Sequence, residues 1–351
     1  MRGVAVLIMI QCHVFNSFTR TDLRQSGAYV FSQFVGGMAA PLFLFMAGMT
    51  SGFQMESLEK RETSRWKRWL TALRRAGYIF LIAYLFRFTN WLGSLPNPSL
   101  QDFLKVDILN CMGLAMTFFT LAALFENTQR IRLTIAGALA VAAAAPLMSG
   151  LVWTGVPLVV KNYLVPSPNM GQFPFFPCAA YLGFGLAAGS LVKRTESAPS
   201  GAGMDRLMQW LVLVGFGLIF SSEYFVSLPW SVYANSDFWR NSPALILIRV
   251  GIISLMLAGA YLWAGLRAAS GWNWIESLGK TSLLVYWVHV TLVYGAVATP
   301  LKRALTPAGS ALAAIGVTLL MVALSEVRLR SRARHVMRWR AGTTVAGTAE
   351  A

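Results

Sequence analysis

Ten apolar runs set the terms for this chain. They lie at roughly 3–18, 31–53, 72–92, 106–125, 131–149, 174–192, 207–227, 243–266, 277–299 and 309–327, and most approach the ~20 residues a helix needs to cross a bilayer. The fold expected is an all-α integral membrane protein, a polytopic bundle of about ten transmembrane helices. With 56% hydrophobic and 13% charged residues among 351, a soluble domain is excluded. The first run is short, carries Gln11, His13 and Asn16, and starts at the initiator Met, so an upstream stretch is expected to be missing. A signal peptide is the weaker reading, since no small-residue cleavage site stands before Thr19-Arg20.

The net charge of +16 reads as topology, not nucleic-acid binding. With loops assigned alternately, 21 of the 30 Lys and Arg fall on one side, seven on the other, and two, Arg87 and Arg249, inside helices. Both termini are then cytoplasmic. Residues 1–328 are expected to form one membrane domain, followed by a basic, disordered cytoplasmic tail over 329–351 that meets anionic lipid.

Ionisable groups at membrane depth are expensive and mark function. His13 is the sharpest case, because it sits eleven residues after Arg2. At about 100° and 1.5 Å per residue, the two share one helix face about 16 Å apart. Arg2 would meet an anion at the surface, and His13 the far end of a long cofactor. Arg87, Asp107, Asn110, Glu223, Arg249 and His289 join His13 and Asn16 in the outer half of their runs, as a polar cavity open to the far side would require. Arg87 and Arg249 can equally snorkel outward, and His289 can bond a carbonyl on a neighbouring helix. At the inner end Arg2, Arg68, Arg74 and Arg75 offer guanidinium forks to phosphate, against a plain positive-inside reading.

Other features read as structure. Cys12, Cys111 and Cys178 show no metal or redox spacing and no metal is expected; Gly185 and Gly189, like Gly48, allow close helix approach. Trp66 and Trp69 read as interface anchors in a loop, 54–71, that extends helix 2 or 3. Glu196–Gly203 reads as the longest linker. The Pro- and aromatic-rich loops 150–173 and 228–242 suit caps over a cavity or ordinary surface.

Five stretches carry a family resemblance: Arg2-Gly-Val-Ala-Val-Leu-Ile-Met-Ile-Gln-Cys-His13, Ala40-Pro-Leu-Phe-Leu-Phe-Met-Ala-Gly48, Lys105-Val-Asp-Ile-Leu-Asn-Cys-Met-Gly113, Phe173-Pro-Phe-Phe-Pro177 and Ser277-Leu-Gly-Lys-Thr-Ser-Leu-Leu-Val-Tyr-Trp-Val-His-Val290. Together they resemble the bacterial proteins sharing the catalytic domain of heparan-alpha-glucosaminide N-acetyltransferase, within the transmembrane acyltransferases. Arg2 and His13 also match the Arg-x10-His spacing of the related type-three acyltransferases. The resemblance implies cytoplasmic acyl-CoA, with acetyl-CoA expected first, an acceptor on the far side, and a bacterial inner-membrane location. The acceptor is expected to be carbohydrate-like, offering a hydroxyl or amine.

In that reading Arg2, Arg68, Arg74 and Arg75 hold CoA phosphates, and His13 is the general base or, by an acyl-histidine route, the nucleophile. Asp107 orients a histidine, Arg249 or Asn110 bonds the thioester oxygen, and His289 tunes the site. The alternative is a proton-coupled transporter using the same His and Arg residues as a relay.

Overall fold

The computed structural model describes residues 1–93, 95–96, 99–166, 173–196, 202–228, 232–234, 236–266 and 272–347, with backbone alone for 202 and 334–347. Most of the expected linker, and Arg267, Pro168, Pro229 and Trp230, lie outside the described residues. In chain order the helices are α1 Arg2–Phe18, α2 Gly27–Gly36, α3 Ala39–Lys60, α4 Arg65–Leu92, α5 Leu100–Phe103, α6 Ile108–Phe119 and α7 Asn127–Gly150. Then come α8 Leu158–Leu164, α9 Phe175–Glu196, α10 Ala202–Ser227, α11 Pro243–Leu266, α12 Trp274–Lys280, α13 Ser282–Tyr294 and α14 Pro307–Gly347.

All ten apolar runs are largely helical, the second divided between α2 and α3 by a turn at Gly37 and Met38. Among the described residues seven stretches are long and apolar enough to cross a membrane, and three shorter apolar helices lie at Arg2–Phe18, Ile108–Leu124 and Ser282–Tyr294. The chain is an integral, multi-pass helical membrane protein. The three short helices carry or border His13, Asp107, Asn110 and His289. Residues 329–347, expected to lack structure, continue α14 instead. The Arg-rich stretch from 329 to 341 lacks Pro and Gly and keeps good helix propensity.

The expected single domain divides into two compact units, residues 1–39 with 269–351, and residues 40–268. In the first, α1 is the central element, touching α2, α12, α13 and α14. It is packed closely at two levels: near its start a Cβ on Gly3 would collide with the Ile275 carbonyl, and further along one on Gly36 would collide with Cys12. Beyond α13 the chain returns to α1, where Leu305 N donates to Phe18 O and Arg20 N to Leu305 O, both at 2.9 Å. The buried hydroxyls of Thr19 and Ser310 meet at 2.8 Å.

In the second unit the glycines act as expected. Added Cβ atoms on Gly48 and Gly52 would strike α9 backbone at Leu182 and Leu186, and those on Gly185 and Gly189 would strike α3 at Phe45 and Met49. Four glycines thus let α3 and α9 approach backbone to backbone. The polar end of α3 is joined to α4 and α7 by ion pairs that loop charge alone did not predict. Arg130, 0% exposed, lies 2.8 Å from Glu56 and 2.5 Å from Glu59, and Arg68, 4% exposed, lies 3.1 Å from Glu59. Asn127 donates to Glu56 as well. A buried guanidinium is tolerable only when carboxylates face it in this way. Both α3 and α4 extend into the 54–71 loop, and Trp66 packs edge to face on Trp69.

Candidate active site

The first unit brings two histidines together. Contacts between α1 and α13 keep a nearly constant separation in sequence: His13 with His289, Asn16 with Tyr294, and Ser17 with the Val293 carbonyl. The two helices therefore run parallel and in register. Nδ1 of His13 lies 2.9 Å from Nε2 of His289, and the ring planes lie within 10° of each other with centroids 5.1 Å apart, as fits an in-plane N–H···N bond. His289 is 0% exposed.

The hydrogen-bond directions follow from one acceptor. Nδ1 of His289 lies 2.6 Å from the carbonyl oxygen of Val285, one turn earlier on α13. A carbonyl only accepts, so that nitrogen carries the proton. In the neutral pair, Nε2 of His289 is then a lone pair and must accept from His13 Nδ1–H. Nε2 of His13 is left as a lone pair with no hydrogen-bond partner among the described residues. A backbone carbonyl thus sets, through two rings, the tautomer of the histidine best placed to take a proton. His289 bonds a carbonyl as expected, but on its own helix, and it also positions His13.

Tyr294 closes the other side. Its ring meets His13 edge to face, with centroids 5.5 Å apart at 67°, and its hydroxyl accepts from Asn16 Nδ2 at 3.3 Å. Asn16 sits almost one turn beyond His13, and its backbone carbonyl is held by Arg24 at 2.7 Å. Tyr294 was not foreseen: an aromatic at the end of an apolar run reads as core. Its place five residues after His289 was the available signal.

The second unit holds the remaining expected site residues, in other roles. Asp107 caps α6, its Oδ1 accepting from Leu109 N at 2.9 Å and Asn110 N at 3.1 Å. Asn110 completes the box by accepting from Asp107 N at 3.3 Å, and its Nδ2 donates to the Tyr163 hydroxyl at 3.0 Å. The shared face of this pair is thus a capping box. Asp107 meets its own helix's amides where a histidine was expected, and both ends of Asn110, expected on a thioester oxygen, are engaged. Tyr163, on α8, is held above the ordinary phenol range by burial and by the Tyr84 hydroxyl. Arg87 lies near Asp107, and Arg249 beside the buried Tyr181 hydroxyl, so each has a protein neighbour and need not snorkel.

The four arginines expected on phosphate also separate by environment. Arg2, half-buried at the start of α1, shares that continuous helix with His13 as the spacing predicted. Arg74 is exposed on α4. Arg75 is held by Thr50 Oγ1 at 2.7 Å and Gln54 Oε1 at 3.1 Å. Arg68 faces Glu59 and is buried, which removes it from the phosphate set; Glu56 and Glu59 were the carboxylates that sequence reading left unassigned.

Comparison with known proteins adds one positive finding. A family model described as an acyltransferase domain matches residues 1–326. Comparison with curated proteins gives no match.

Proposed function

We propose that this chain, which belongs to that acyltransferase family, moves an acyl group from acyl-CoA to a hydroxyl or amine of a carbohydrate-like acceptor. Acetyl is the first choice of acyl group, and the resemblance to heparan-alpha-glucosaminide N-acetyltransferase is the reason for it. The observation that carries the reading is the oriented chain from Val285 O through His289 to the free Nε2 of His13.

In this mechanism Nε2 of His13 takes the proton of the acceptor as its oxygen or nitrogen attacks the thioester carbonyl. When the tetrahedral intermediate collapses, the C–S bond breaks and the same proton passes to the departing sulfur. General acid–base help of this kind is worth typically 10²–10⁴ in rate. His289 does not touch the reactants. It holds His13 in the required tautomer and shares the positive charge as that ring is protonated, the logic of an oriented base in a catalytic triad. An acyl-histidine route would use the same lone pair as nucleophile.

Arg2, Arg74 and Arg75 are proposed to meet CoA phosphates. The uneven split of loop Lys and Arg supports cytoplasmic termini and a cytoplasmic donor, in a bacterial inner membrane. The acyltransferase match favours the enzyme over the proton-coupled transporter. The test uses membranes of the organism that carries the gene, with tagged protein and radiolabelled acetyl-CoA. Transfer of label into membrane or envelope material above that given by His13→Ala supports the reading, and equal transfer by the two proteins overturns it.

A further inference from the structure

Proton transfer solves only half of thioester chemistry. As the acceptor attacks, the carbonyl oxygen becomes an oxyanion, and stabilising that charge is usually the largest single catalytic contribution. The groups expected for this role, Asn110 and Arg249, already have neighbours in their own unit: Asn110 is occupied at both ends, and Arg249 lies beside Tyr181. The unit that holds His13 offers a different donor.

The Tyr294 ring meets the His13 ring edge to face, and its hydroxyl accepts from Asn16 Nδ2 at 3.3 Å. A phenol oxygen that receives a hydrogen bond still has its own proton to give, and donation into it polarises that O–H bond further. Among the described residues the hydroxyl makes no hydrogen bond with this proton. The residue is 40% exposed rather than sealed in the core. Asn16 in turn is fixed through its backbone by Arg24, and Lys302 Nζ holds the Tyr294 carbonyl at 2.7 Å. Base and hydroxyl are thus carried on two registered helices, one ring pair apart.

We propose that Tyr294 is the oxyanion donor of this site: its O–H bonds the thioester oxygen as negative charge develops there, while His13 Nε2 receives the acceptor's proton. Asn16 is its positioning residue. The phenol keeps its proton throughout; the C–O or C–N bond forms, the C–S bond breaks, and the acceptor proton ends on the CoA sulfur by way of His13. This inference rests on the acyl-transfer reading.

The test measures label transfer from acetyl-CoA in the same membranes, normalised to tagged protein. Tyr294→Phe lowers the maximal rate by on the order of 10²-fold and leaves the KM for acetyl-CoA within about twofold. Asn16→Ala gives a smaller fall of the same kind. Because removing the hydroxyl can also disturb packing, 3,5-difluorotyrosine is placed at 294 as a second variant of nearly native size and lower phenol pKa. An ionised phenol cannot donate, so this variant shifts the alkaline limb of the maximal rate to lower pH. A structural tyrosine leaves that limb in place. Near-normal rates in Tyr294→Phe, a loss confined to KM, or an unmoved limb each overturn the inference while His13→Ala remains dead and the reading stands. Equal transfer by wild type and His13→Ala overturns both.

Discussion

Nδ1 of His13 and Nε2 of His289 lie 2.9 Å apart although 276 positions separate them in the chain. Because the Val285 carbonyl dictates the proton positions on His289, removing either ring changes the other's chemistry.

His13→Ala abolishes acyl transfer while expression is retained. His289→Ala, which leaves the His13 tautomer unfixed, lowers the rate by about 10²–10³, close to what an orienting partner of a catalytic imidazole contributes. His289→Gln recovers part of that loss, because an amide oxygen can accept the His13 Nδ1 proton. Label transfer by the three variants checks this order. A mild His289→Ala would leave His289 as a packing residue.

Arg74 and Arg75 respond differently to removal. Arg74 is exposed, so Arg74→Ala weakens acetyl-CoA binding by about tenfold, as loss of a charge-assisted bond implies, and leaves thermal stability unchanged. Arg75 also bonds Thr50 and Gln54, so Arg75→Ala lowers both affinity and stability. Titration calorimetry and thermal denaturation of detergent-solubilised protein separate the two effects. Unchanged affinity in both variants would reduce these arginines to topology signals.

Arg130→Met strands Glu56 at a buried site and leaves Glu59 to Arg68 alone. Breaking a buried ion pair by deleting one partner costs about 3–5 kcal/mol. Adding Glu56→Gln restores part of it, since the stranded charge is then gone while the Arg68–Glu59 pair is kept. Thermal unfolding of the single and double variants measures the recovery.

Gly185→Leu is expected to prevent assembly of the second unit, because its side chain would occupy space held by the α3 backbone at Phe45. Gly217→Ala, where an added Cβ meets nothing within 4 Å, is tolerated or slightly stabilising. Monodisperse protein recovered after solubilisation distinguishes the pair.

A C-terminal reporter fusion is active only as a cytoplasmic reporter, following the 21-to-7 split of loop Lys and Arg. Activity on the far side would reverse the orientation and the donor side with it.

Much of this protein was legible residue by residue. Hydropathy is a local property, so all ten apolar runs could be read as helices without knowing their neighbours. The Arg2–His13 spacing was enough to place both on one helix, and small residues four apart marked the α3–α9 approach. What remained hidden were partnerships across the chain. Asp107 and Asn110 are three apart both in a site and in a capping box, and only the observed bonds decide for the cap. Arg68 and Arg130 look like topology charges until Glu56 and Glu59 are folded against them. The role of His289, and Tyr294 beside His13, came from the register between α1 and α13. Periodicity along one helix says which residues share a face, while the face they meet is set by packing between segments far apart in sequence, and that is where the tautomer of the base was decided.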